Sequence, residues 1–321
     1  MLFLAQFVLY KLFYVPYYLG YTLQHFPNSD LLRQALEKKN EVIFFGDSTV
    51  RFNRLEDKDK KTIPQMLQVK IPDSNVTSIS YPGYSADVFL AYVQRISRSG
   101  RWPKCIIIPI NLRSFSVGWD KRPQYQFVEE RTLIAPKPFL IDIFLKPLMV
   151  FRVINLAPIS QQDYENAEVL DGTTRVGKVK DFQRSDASIT PEQALQNHFI
   201  LDYMEKLTGD NRKIKSIAAL VRLLSGKNTR TIFYVSPVDV DAGSQSLGKR
   251  FQDQIQENVA FIRMVLRKEQ LDLLDLSLDV KHEDFDWNPY PNEHLKEAGR
   301  RFVADELSKK ISPALKMDAW Q

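Results

Sequence analysis

The chain has 321 residues, 44% hydrophobic and 26% charged, with a net charge of +5. That length suits one large domain or two small ones, and the apolar fraction fills a core and excludes wholesale disorder. The 44 Lys and Arg are scattered among 39 Asp and Glu, without zinc-finger spacing, helix-turn-helix or aromatic RNA-binding signature, so no nucleic-acid partner is expected. A mildly basic exterior suits anionic lipid or cell-wall polymer.

From Met1 to about Tyr21 the sequence is almost entirely Leu, Phe, Val, Tyr and Ala, broken by Gln6, Lys11 and Pro16. At ~1.5 Å per residue, a helix of about 21 to 24 residues crosses a ~30 Å hydrocarbon layer. Interleaved tyrosines suit a membrane interface, and no small-residue cleavage site follows. Residues 1–24 are therefore expected to be an uncleaved membrane anchor; a buried or interfacial hydrophobic helix is the alternative. Residues 25–40 read as a polar juxtamembrane helix or linker, and 41–315 as the main folded domain.

Glu41-Val42-Ile43-Phe44-Phe45 reads as a buried strand and runs directly into Gly46-Asp47-Ser48. A charged loop at 57–61 and a short helix at 63–69 lead to a second strand at 76–80. Ser78-Ile79-Ser80-Tyr81-Pro82-Gly83 places a glycine at the turn after it. Apolar positions from Val88 to Ile96 predict a helix packed on the sheet. Cys105-Ile106-Ile107-Ile108-Pro109-Ile110 is a third strand, ending at Asn111. Cys105, the only cysteine, excludes an intrachain disulfide and reads as a small buried hydrophobe.

Residues 112–190 form a long insertion with looser patterning. It carries a very apolar run at 139–145 and, through Asp171-Gly172, a predicted hairpin at 168–176. Such an insertion is either a lid or membrane-facing flap, or an elaboration that covers the core. Helices at 192–207 and 214–224 then precede a strand at 231–235. A helix at 251–268, a strand at 271–276, a loop at 284–294 and a final helix from Leu295 to about Ile311 follow. This alternation predicts a parallel sheet with helices on both faces.

A serine at the carboxyl end of a strand lies where open α/β folds gather ligands. It needs a nearby base to act as a nucleophile. His294, late in the chain at a helix start, suits that role better than His25, His198 or His282, which read as surface or packing residues. Ser48, Gly83, Asn111 and His294, each at a strand end or helix start and in that order, resemble the four sequence blocks of the SGNH (GDSL-type) hydrolase superfamily. The resemblance implies a three-layer α/β/α fold with a flavodoxin-like, five-stranded parallel sheet. It also implies a catalytic Ser48 and His294, and an oxyanion hole from the Ser48 and Gly83 backbone N–H groups and the Asn111 amide.

In that family an aspartate three residues before the histidine orients the ring, but here Pro291 stands there. Asp286 is favoured as its replacement over Asp284; a Ser–His dyad, or loss of catalysis, are the other readings. The function expected is a serine esterase or O-acyltransferase working through an acyl-serine, on an acyl ester or a cell-envelope glycan. The membrane and a membrane-bound acyltransferase are the expected partners, and no cofactor or metal is expected. The competing expectation is an inactive SGNH-like polymer-binding or assembly component.

Overall fold

The computed structural model describes residues 7–38, 41–154, 159–183, 189–287 and 291–317. The first six residues of the expected anchor lie outside them. Nine strands are described: β1 (Glu41–Gly46), β2 (Asn75–Ser80), β3 (Cys105–Ile110), β4 (Glu168–Asp171), β5 (Thr174–Lys178), β6 (Arg230–Val235), β7 (Leu273–Asp275), β8 (Phe285–Trp287) and β9 (Pro291–Leu295). Five of them form one sheet in the order β2-β1-β3-β6-β7, and all four pairings are parallel.

Period-two alternation divides the buried side chains between two faces. Ile43, Phe45, Ile106, Ile108 and Phe233 face one core, which is covered by the Ala86–Ser99, Arg212–Leu224 and Lys249–Arg267 helices. Val42, Phe44, Ile107, Ile232 and Tyr234 face the other, under the Ile63–Lys70 and Glu297–Met317 helices. The protein is thus an α/β fold with helices on both faces of a parallel sheet, in three layers.

Pairing of β3 with β1 ends at Ile107, whereas pairing with β6 runs on to Ile110. Pro109 removes a backbone donor just beyond Ile107, so the carboxyl ends of β1 and β3 separate. A crevice opens between them. This matches the position at which the strand order reverses around β1, where such folds bind ligands.

Several segments depart from expectation. Pro27–Ala35 is a helix whose Leu32 and Ala35 are fully buried in the main core, so this part of 25–40 is built into the domain. The expected loop at 284–294 includes an antiparallel pair, β8 with β9, and the last helix begins at Glu297, after Leu295. The hairpin in the insertion forms as β4–β5.

Residues 10–14 are a π-helical turn continuous with the Val15–His25 helix. Tyr14 and Tyr21 on that segment pack with Leu133, Met149 and Val150 of the insertion. No helix among the described residues is long and apolar enough to cross a membrane.

Candidate functional site

Gly46 ends β1 because the chain turns back on itself there: a β-carbon at Gly46 would overlap Val50. Asp47 then caps the four-residue Ser48–Arg51 helix, its Oδ1 accepting from Thr49 N at 2.8 Å and Thr49 Oγ1 at 2.7 Å. Ser48 stands at the first helical position, where backbone N–H groups have no intrahelical acceptor. Gly83 lies in the Pro-Gly turn after β2, closed by Tyr84 N donating to Tyr81 O at 3.1 Å. Its φ of 83° suits glycine, and the Tyr125 ring occupies the space of a β-carbon.

Asn111 follows β3 and is 7% exposed. Ser48, Gly83 and Asn111 line one small crevice with Asp47, Tyr125, Trp119 and Lys213. Burial and neighbouring arginines pull the Lys213 ammonium down to about 8, against the attraction of Asp120. Three of the sequence-derived site residues therefore meet at the carboxyl ends of adjacent strands.

His294 sits beside this crevice and is not among the residues that line it. Its ring stacks on Phe52, at the far end of the Ser48 helix, with centroids 4.4 Å apart and planes 7° from parallel. Burial, reinforced by the Arg113 charge, lowers its pKa to about 4, against opposing contributions from Asp47 and Asp286. The imidazole is accordingly neutral at pH 7. Asp286 pairs with Arg54, Nε to Oδ1 at 3.3 Å, and its charge acts on the imidazole. Asp284 contributes its backbone carbonyl to Lys296 N at 2.8 Å.

The largest departure is Glu293. Because Pro291–Leu295 is a strand, Glu293 and His294 project to opposite sides. The Glu293 carboxylate enters the polar core, and the residue is 2% exposed. It accepts from Tyr203 OH at 2.6 Å and Asn111 Nδ2 at 3.2 Å, and pairs with Arg113 Nε at 2.9 Å. Burial raises its pKa, which Arg113 and Tyr203 oppose. Arg113 is held from its other side by Trp119, 4.3 Å from guanidinium carbon to ring centroid.

This network uses the Asn111 amide. Its Nδ2 donates to Asp47 Oδ2 at 3.0 Å as well as to Glu293, and its Oδ1 accepts from Arg113 N. An amide nitrogen has two hydrogens, and both have carboxylate acceptors here. Asn111 thus ties β1, β3 and β9 together. The residues that sequence reasoning missed are Glu293, Arg113 and Tyr203. Reading Asn292-Glu293-His294-Leu295 as a strand, which turns Glu293 and His294 to opposite sides, is the signal that could have found the first of them.

Among the described residues no cluster of His, Cys, Asp and Glu has the arrangement of a metal site. Cys105 is buried, and desolvation pushes its thiol up to about 12, which leaves it unsuited to nucleophilic work at neutral pH. No family model matches the chain, and no curated protein matches it significantly.

Proposed function

We propose that the protein is a membrane-associated serine esterase or O-acyltransferase of SGNH type. The Ser48 hydroxyl attacks an ester carbonyl while His294 takes its proton. The alcohol leaves with that proton, and an acyl-Ser48 ester remains. Water or a sugar hydroxyl, giving its proton to His294, then attacks the acyl carbon and restores Ser48. The backbone N–H groups of Ser48 and Gly83 are the proposed donors to the oxyanion, a contribution of about 2.7–4 kcal/mol for each well-placed donor.

The observation that carries this reading is the shared crevice of Ser48, Gly83 and Asn111 at the carboxyl ends of β1, β2 and β3. A neutral His294 beside the same short helix supports it. Catalysis requires the imidazole nitrogen to come within hydrogen-bond reach of Ser48 Oγ. Asn111 takes the role of a positioning residue in this scheme, because its amide serves Asp47 and Glu293. Envelope glycan as acyl donor or acceptor, and a membrane-bound acyltransferase as supplier of the acyl group, belong to the same proposal.

The commitment of the Asn111 amide also favours a second reading, a non-catalytic component that keeps the SGNH-like architecture for binding or assembly. A serine-reactive fluorophosphonate separates the two. Covalent labelling of the parent that Ser48→Ala abolishes supports the enzyme; an unlabelled parent supports the binding component.

A further inference from the structure

Two segments far apart in sequence build one apolar surface. Of the 18 large hydrophobic side chains exposed among the described residues, 11 fall within residues 8–19 and 141–153. Leu12, Phe13 and Tyr17 stand out on the first segment, at 65%, 66% and 52% exposure. Phe144, Phe151 and Val153 stand out on the second, at 45%, 54% and 66%. The segments touch: the Tyr17 and Phe151 rings stack with centroids 5.2 Å apart. Beneath them Tyr14, Tyr21, Leu133, Met149 and Val150 form a buried cluster that fixes their relative position. Contiguous exposed apolar surface of this kind marks a contact site.

Charge identifies the partner. Residues 7–25 and 137–153 contain Lys11, Lys137, Lys146 and Arg152 against Asp142 alone. Lys146 and Asp142 are buried and paired at 3.0 Å, which leaves three cations and no carboxylate to face outward from these segments. Apolar and aromatic side chains with cations suit a bilayer containing anionic lipid.

The geometry also bears on depth. The Phe139–Val150 helix has 12 residues, roughly 18 Å at ~1.5 Å per residue, too short for a ~30 Å hydrocarbon layer. One side of the Val15–His25 helix is already covered by the insertion. We infer that residues 8–19 and 141–153 together form a monotopic face that lies in the headgroup and upper acyl region of an anionic bilayer. The insertion is half of the attachment surface. This deepens the membrane association proposed above and does not depend on chemistry at Ser48.

The test uses the full chain with phosphatidylcholine vesicles, with and without one quarter phosphatidylglycerol, read by flotation. The parent is expected to float with the anionic vesicles and to be released by alkaline carbonate. Phe144→Asp/Phe151→Asp should weaken flotation at least tenfold with an unchanged circular dichroism spectrum. Should that variant unfold, Val153→Asp, at the exposed end of the segment, reads the same expectation. Parent-level flotation of a folded insertion variant would overturn the inference, as would retention through carbonate. A parent that binds neither vesicle would also overturn it and would assign the face to a protein partner. Fluorophosphonate labelling, read separately in detergent, reports on Ser48 whichever way flotation falls.

Discussion

Replacing Glu293 by alanine should damage the protein more than any change at Ser48. The carboxylate accepts from three donors, Tyr203 OH, Asn111 Nδ2 and Arg113 Nε, at 2.6, 3.2 and 2.9 Å. Arg113 has 8% side-chain exposure and Glu293 has 1%. Removing one partner of a buried ion pair leaves the other charge uncompensated, at a cost of about 3–5 kcal/mol. The orphaned Tyr203 hydroxyl adds about 1 kcal/mol or more. At ~2–4 °C per kcal/mol for a domain of this size, Glu293→Ala should melt on the order of 10 °C below the parent. Glu293→Gln keeps acceptor and shape and should fall between them. Much of the cost is the stranded guanidinium, so Arg113→Met should mask part of it. The double variant is expected to be more stable than the sum of the singles by about 2 kcal/mol, in the range of coupled neighbours. Denaturant unfolding of the four proteins measures this cycle. Additive losses, or a Glu293→Ala loss under about 1 kcal/mol, would refute the buried pair as the clamp that holds β9 to β3.

Gly83→Ala forces a side chain into the left-handed region at φ 83° and against the Tyr125 ring; it should cost about 1–2 kcal/mol and lower fluorophosphonate labelling, and parent-like labelling would remove Gly83 from the oxyanion hole. The depressed His294 pKa sets a pH window. The unfolded chain binds a proton near pH 6.5 and the folded one only near 4, so stability is expected to fall as pH drops between those values, and the acid limb of kcat/KM should lie near pH 4. An acid limb at 6.5 would show that His294 is not the base. The charge of Asp286 raises the His294 pKa, so Asp286→Asn should lower it further in an NMR titration; a rate loss near the ~10⁴ seen when an orienting acid is lost in related chemistry would make Asp286 the orienting acid, and parent-level activity would remove it from that role.

The sheet was legible because its strands carry their own evidence. Ile43, Phe45, Ile106 and Ile108 fill one core and Val42, Phe44 and Ile107 the other, so the continuous apolar runs at 42–45 and 105–110 had to be buried on both faces. Gly46, Gly83 and Asn111 were legible because turn chemistry is local. Glu293 was not, because its partners Arg113 and Tyr203 lie 180 and 90 residues away and the sequence predicts a loop where the five-residue β9 forms. The Asn111 amide fell short for the same reason: its acceptors come from β9 and from the cap of another element. The hydrophobic segment at the start was legible as apolar, but its packing against Met149 and Val150 depends on an insertion whose path has no local signal.

The most direct test of the central claim is covalent. The intact protein, treated with a fluorophosphonate at neutral pH and digested, should yield one modified peptide with the adduct on Ser48. Ser48→Ala should yield none while melting at the parent temperature. An adduct on another residue, or a folded parent that takes up no probe, would contradict Ser48 as the nucleophile of an acyl-transfer enzyme.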